Sequence, residues 1–222
     1  MTSFGDSRKV RSGQTGIHPR LMATVRRHLA SSWRQPMHPG SEQAFGRFLA
    51  YWDGRTPLVL DAGCGTGDST RRLARLHSDC LVVGVDRSAH RLAKSSRPLP
   101  ENTLLLRARL EDFWRLLADA GIGLRRHYLL YPNPWPKPGH LGRRWHGHPI
   151  FPRLIGLSCR LELRSNWRLY LEEFRAAAAI CGTLAPPVVS FCSRQVLTPF
   201  ERKYAASGHA LFRLILNLEN ST

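Results

Sequence analysis

The chain has 222 residues, 42% of them hydrophobic, and a formal net charge of +17 from 33 Lys+Arg against 16 Asp+Glu. That length suits one large α/β domain with its own core, and no apolar run is long enough for a membrane-spanning helix. So large a basic excess points to a polyanionic partner, nucleic acid before an anionic membrane surface, with an arginine-favouring codon usage as the alternative.

The opening stretch MTSFGDSRKVRSG has no signal-peptide core, so a cytoplasmic protein is expected. Five scattered cysteines (Cys64, Cys80, Cys159, Cys181, Cys192) contain no CxxC pair, which argues against a disulfide scaffold or a zinc ribbon. His140, His146 and His148 lack partners at metal-ligand spacing, so no metal is expected.

Residues 1–40 carry Arg8, Lys9, Arg11, Arg20, Arg26, Arg27 and Arg34 among small polar residues. They read as a basic N-terminal arm, mobile or partly helical around 20–31, ahead of a main domain over 41–222. Ser41 is expected to cap a helix running to about Trp52, with Ala44, Phe45, Phe48 and Tyr51 on its apolar face. Strands are then predicted at 57–63, 81–86, 102–106, 126–131, 160–164, 188–192 and 211–217. Helices are predicted at 68–77, from Ser88, from about Glu111, near 149–157 and over 167–180. Strands alternating with helices imply βαβ units and a mostly parallel sheet with helices on both faces. The last two strands, with no full helix between them, imply a closing antiparallel pair. This is the Rossmann-like, seven-stranded plan of class I S-adenosylmethionine-dependent methyltransferases.

The sharpest local signal is Asp61-Ala62-Gly63-Cys64-Gly65-Thr66-Gly67-Asp68, between a predicted strand and a predicted helix. Glycines let the backbone turn tightly and approach a ligand closely. A dinucleotide fingerprint needs a third glycine where Asp68 stands. Glycines at 63, 65 and 67 instead form the D-x-G-x-G-x-G pattern of S-adenosylmethionine binders. Asp61 suits the cofactor's ammonium side, and Asp86, closing the second predicted strand, suits its ribose hydroxyls. After the third strand an acid is expected at the adenine amino group. Arg109 occupies that slot, with Glu111 or Asp112 as substitutes.

Tyr131-Pro132-Asn133-Pro134-Trp135-Pro136-Lys137-Pro138 follows the fourth predicted strand. Its prolines stiffen the backbone, and Trp135 offers a face on which a base can stack. His140, Arg143, Arg144, Trp145, His146 and His148 continue it as a basic run with interleaved aromatics, as a nucleic-acid site needs.

Here the chain resembles a known family. PNPWPK (132–137) is similar to the PDPWPK signature of bacterial tRNA (guanine-N7)-methyltransferases. LELRSNW (161–167) is similar to the segment that carries their Thr-Asp pair. Thr198-Pro199-Phe200-Glu201-Arg202, then Gly208-His209, resembles their T-x-F-E-x-R-G stretch. The order fits from about residue 42 to 216. The resemblance implies S-adenosyl-L-methionine held by Asp61, Gly63, Gly65, Gly67 and Asp86, and tRNA as the partner, with a monomer or a homodimer equally compatible. It implies catalytic roles for the positions held by Asn133, Asn166 and Glu201. Pro134, Trp135, Ser165 and Thr198 would meet the base, and Lys137, Arg143 and Arg144 the tRNA phosphates.

This chain departs from the pattern in having Asn133 and Asn166 where the family has Asp. Three readings therefore stay open: the family activity, a diverged methyltransferase on another RNA base or other substrate, and an RNA-binding protein with little catalysis.

Overall fold

A computed structural model describes residues 7–95, 98–157, 160–192 and 195–218. Cys159 and the first six residues of the expected arm lie outside the described residues. The elements run α1 (Leu21–Ala30), α2 (Pro39–Tyr51), β1 (Leu58–Ala62), α3 (Asp68–Leu76), β2 (Leu81–Asp86), α4 (Ala89–Ala93), β3 (Thr103–Arg107), α5 (Leu110–Asp119) and β4 (Arg126–Leu130). They continue with α6 (Phe151–Ile155), β5 (Arg160–Ser165), α7 (Arg168–Ile180), β6 (Val189–Ser190), α8 (Pro199–Ala206) and β7 (Phe212–Asn217). Two short 3₁₀ turns, Pro138–Arg143 and Trp145–Gly147, lie between β4 and α6.

The seven strands form one sheet in the order β3-β2-β1-β4-β5-β7-β6. β1 to β5 pair in parallel, and β7 runs antiparallel between β5 and β6. β1 and β2 are buried at every position, as strands covered on both faces must be. The strand order reverses between β1 and β4. In such sheets that reversal opens a crevice at the carboxyl ends of the strands, where ligands bind. This is the expected class I, Rossmann-like methyltransferase architecture.

The structure corrects four expectations. Ser41 does not cap α2: it lies buried inside the helix, and the His38 ring accepts the Gly40 N–H instead. Residues 7–38 are laid onto the domain rather than held apart from it, with His18, Leu21 and Val25 buried. The 188–192 strand shrinks to two residues, and α8 stands where no helix was expected. α8 opens with Thr198 accepting the Glu201 N–H at 2.9 Å, the first half of a capping box that Thr-x-x-Glu announces.

Among the described residues, no helix is long and apolar enough to cross a membrane.

β2 contains one glycine for a packing reason. A Cβ on Gly84 would sit 2.5 Å from Thr70 Oγ1 and 2.6 Å from Leu105 Cδ2. Gly84→Ala is therefore expected to lower unfolding free energy by about 1–3 kcal/mol through overpacking. Denaturant melts would register this as a lower midpoint with an unchanged slope.

Candidate active site

A cleft of about 500 Å³ lies at the carboxyl ends of β1, β2, β4 and β5. Its walls include Ala62 and Gly63 after β1, Asp86 and Arg87 after β2, and Leu110 and Glu111 at the start of α5. The segment Leu129 to Trp135 forms the opposite wall, with Arg143, Trp145, His148, Asn166, Phe200 and Tyr204 around it. The glycine corner and the proline–tryptophan segment thus share one cavity.

The corner is built by backbone geometry. Gly63, Gly65 and Gly67 all have positive φ (83°, 59° and 76°), a region costly for residues with a Cβ. A Cβ at Gly67 would come 2.9 Å from Leu105 Cδ1, whereas one at Gly63 would meet nothing closer than Leu110 at 4.0 Å. Gly63 therefore leaves the cleft floor bare, while Gly65 and Gly67 shape the turn without lining the cleft.

Asp86 does line the cleft. It is 2% exposed; its Oδ2 accepts the Gly65 N–H (3.0 Å), and its Oδ1 accepts the Ser88 N–H (2.8 Å) and pairs with Arg91 at 3.2 Å. The Arg91 side chain is 44% exposed and can swing off, which would leave a presented carboxylate. Asp61, expected at a cofactor ammonium group, instead lies outside the cleft lining. Its Oδ2 accepts from Ser69 (2.6 Å) and Thr70 (2.7 Å) and so ties β1 to the start of α3. Burial pushes its pKa up to about 6 against those two hydrogen bonds, with Asp86 adding to the rise. Arg109, expected in the adenine slot, is exposed and precedes α5 outside the cleft, and Glu111 is the acid on the cleft wall. Asp112 is turned inward and accepts the His38 N–H.

The opposite wall is strained. Tyr131 and Trp135 have φ of 52° and 46°, a left-handed backbone that costs a bulky residue about 1–3 kcal/mol and persists only where its surroundings enforce it. The Tyr131 N–H donates to the Arg164 carbonyl at 2.8 Å. Arg144 enforces Trp135: its Nε donates to the Trp135 carbonyl at 3.1 Å and its Nη2 to the Lys137 carbonyl at 3.3 Å.

Arg144 was expected on tRNA phosphates. It is instead 0% exposed, paired at 2.5 Å with Glu173 of α7, itself 0% exposed. Glu173 also accepts from Gln14 Nε2, the His18 N–H and His146 Nε2. Burial alone would raise this carboxyl. The hydrogen bond from His146, the His18 N–H and the Arg144 charge work against that and hold the carboxyl below its usual range. Burial keeps His146 neutral, so it acts as an Nε2–H donor, and its Nδ1 has no hydrogen-bond partner among the described residues. The cation that balances Glu173 is therefore Arg144.

Other expected residues take these places. Ser165 Oγ accepts the Trp167 N–H at the start of α7, and Thr198 caps α8. Glu201, expected to be catalytic, is 0% exposed and held by Arg164 at 3.0 Å. Lys137 is exposed outside the cleft, and Arg143 lies with its guanidinium 4.9 Å over the Trp135 ring. Asn133, Pro134, Trp135, Arg143 and Asn166 are the expected substrate-side residues that the cleft does bring together.

Asn166 is oriented by its neighbour. His209 Nε2 contacts the Ser7 carbonyl at 2.8 Å, and a carbonyl can only accept, so Nε2 carries the proton. The Asn166 group 3.1 Å from Nδ1 is its Nδ2 amide, a donor, so Nδ1 accepts from it. Among the described residues, the amide oxygen is the end left unheld. His209 is itself stacked on Tyr204 at 5.3 Å.

Tyr131, Phe200 and Tyr204 escaped the sequence reading. Phe200 and Tyr204 are four residues apart on α8, so recognising that helix would have placed them on one face.

Comparison with known proteins agrees with this geometry. Residues 59–121 match a family described as "Methyltransferase domain". A tRNA (guanine-N(7)-)-methyltransferase of Geobacillus thermodenitrificans is 25% identical over 195 residues, covering 82% of this chain and 89% of that protein. One from Alkaliphilus oremlandii is 23% identical, covering 76% and 85%. The similarity that the three motifs implied thus extends along most of the chain. Among solved structures, the 16S rRNA methyltransferase KamB superposes with a TM-score of 0.56 at 18% identity, covering 83% of this chain and 95% of that one. The antibiotic-resistance methyltransferase Kmr gives 0.56 at 18% identity, covering 86% and 96%. These two show the shared fold.

Two outcomes are expected. Arg144→Met leaves Glu173 buried without its cation and should cost about 3–5 kcal/mol of stability, read by chemical denaturation. The second concerns acid. Burial lowers His127 to about 3 and His148 to about 4, so both are neutral in the fold but take up protons when it unfolds. Their stabilisation is complete above the ordinary histidine pKa and is lost as pH falls. Asp61 has the opposite sign, since its raised pKa favours the fold as pH falls through about 6. From pH 7 to pH 5 each of these two histidines should cost about 2 kcal/mol and Asp61 return about 1.4, and burial of His146 adds to the loss, so stability should fall by at least about 2 kcal/mol. Denaturant midpoints across that range measure it, and a flat profile would contradict the burial of these rings.

Proposed function

We propose that this methyltransferase acts on N7 of a guanine in tRNA, with S-adenosyl-L-methionine as methyl donor. The observation that carries the reading is the single cleft shared by the left-handed glycine corner and the strained Trp135 wall. The similarity to tRNA (guanine-N(7)-)-methyltransferases over most of the chain supports the same substrate.

The residues present fit the cofactor. The bare Gly63 floor allows close approach of its backbone, Asp86 offers a buried carboxylate for ribose hydroxyls, and Glu111 suits an adenine amino group. When bound, S-adenosylmethionine supplies a methyl group on a positively charged sulfur, ready for in-line displacement. Guanine N7 carries a free lone pair, so no side chain has to remove a proton first. What the chain contributes is position and electrostatics. Trp135 and Tyr204 provide aromatic faces for the base. The unheld oxygen of Asn166 accepts from guanine's N1–H or N2–H₂ edge, so the amide keeps the acceptor polarity of the carboxylate it replaces. Asn133, exposed on the rigid proline segment, reaches the base from the other side.

Both asparagines are neutral, while the product base is cationic. Removing one preorganised electrostatic interaction costs about 2.7–4 kcal/mol. The amide hydrogens of Asn133 also favour a second reading, in which another RNA base is the acceptor.

Incubation with labelled S-adenosylmethionine and bulk tRNA, followed by nucleoside mass spectrometry, tests both. Labelled 7-methylguanosine is expected. A different labelled nucleoside would establish the second reading, and tight cofactor binding with no labelled nucleoside would remove the enzyme reading. Asn133→Asp should raise kcat/KM for guanine about tenfold or more, and no rise would refute the charge argument.

A further inference from the structure

We propose that a basic trough between α3 and α8 is the track for the RNA backbone that flanks the target base. The inference rests on the cleft being an RNA-modifying site, but it concerns residues outside that cleft.

A hollow of about 260 Å³ is bounded on one side by Arg71 and Arg72 of α3 and Lys94, and on the other by Pro199 and Arg202 of α8. A second hollow, about 330 Å³, extends it along α3 through Arg71, Arg72 and Arg75. Of the described residues that line either hollow, Asp68 is the one carboxylate, and Arg71 neutralises it at 2.9 Å. Among the described residues, Arg72, Arg75, Lys94 and Arg202 enter no ion pair. Arg75, Lys94 and Arg202 are exposed.

Arg72, Arg75, Lys94 and Arg202, on both walls of the groove and in no ion pair among the described residues, match a backbone that carries one negative charge per nucleotide. Arginine adds a planar fork that binds phosphate oxygens in pairs. The trough also meets the cleft. α8 turns Phe200 and Tyr204 into the cleft and Pro199 and Arg202 into the trough, and Thr66 lines the trough from within the glycine corner. A strand whose base enters the cleft would therefore carry neighbouring phosphates past α3.

The test uses the full chain with Arg72→Gln, Arg75→Gln, Lys94→Gln and Arg202→Gln combined. A charge-matched control carries Arg26→Gln, Arg27→Gln, Arg47→Gln and Arg55→Gln, all exposed on or near α1 and α2. Affinity for bulk tRNA is measured by fluorescence anisotropy from 50 to 200 mM salt. Affinity for S-adenosylmethionine is measured by calorimetry, and melting checks the fold. The trough variant should bind tRNA at least tenfold more weakly at low salt. The slope of log affinity against log salt should fall by about 0.7–0.9 for each phosphate that is no longer neutralised. Cofactor affinity should stay unchanged, and the control should weaken far less.

An equal weakening in the control would reduce the effect to net charge and overturn the proposal, as would an unaltered slope in the trough variant. Loss of binding to phosphatidylserine vesicles with tRNA affinity intact would assign the trough to a membrane surface and also overturn it. RNA affinity that depends on the trough, without any methylated nucleoside, would sink the guanine reading and leave the trough standing.

Discussion

The wall of the cleft stands on one buried ion pair. Arg144 and Glu173 are both fully removed from water, and placing two charges there costs several kcal/mol per ion before any attraction is counted. The cost is offset by density of bonding. Arg144 also donates to the Trp135 and Lys137 carbonyls and to Gln14, and Glu173 also accepts from Gln14, His18 and His146. Three stretches that share no local sequence, the N-terminal segment, the proline loop and α7, thereby acquire one geometry. α7 follows directly from β5, so the loop is referenced to the sheet rather than to solvent. The left-handed backbone at Trp135 then has an evident cause.

The facing wall is held by different means. Its corner depends on bare glycines and on the Asp61 carboxylate, which pulls Ser69 and Thr70 toward β1. Thr70 in turn packs against the missing side chain of Gly84 in β2. Both walls are thus anchored to the central parallel strands, one through steric economy and one through a buried charge pair. A ligand pocket needs such rigidity, because small displacements of a reacting group are expensive in rate.

Much of this was legible in the sequence. The βαβ rhythm placed the parallel strands, most sharply β1 and β2, because a strand buried on both faces reads as a nearly continuous apolar run. The glycine spacing identified the corner, since few other residues tolerate those φ values. Two misreadings share a cause: they depend on partners distant in the chain. Arg144 looked like a surface cation because arginine is rarely fully buried unless paired, and its partner lies 29 residues downstream. Glu201 is held by Arg164, 37 residues away, whereas Asp61 is held by its near neighbours Ser69 and Thr70. α8 was missed despite its Thr-x-x-Glu start, because eight residues show too few turns for periodicity to declare itself.

The electrostatic character of the cleft follows from these placements. Arg87, Arg91 and Arg143 line it against the carboxylates of Asp86 and Glu111, and Arg91 already balances Asp86. With amides at 133 and 166, the cleft is not an acidic trap for a cationic ligand. Binding of a sulfonium must therefore draw on shape, on the aromatic faces, and on release of Arg91 from Asp86. That release has a natural partner. Under the proposed function, an RNA phosphate would offer Arg91 a second anion, so RNA would release the Asp86 carboxylate and a ligand on Asp86 would release Arg91. Such an exchange makes the two affinities mutually reinforcing, as any coupling between two sites must be. Under the same proposal, amides at 133 and 166 weaken the direct attraction for positive charge and would shift part of the work of assembling the site onto the RNA.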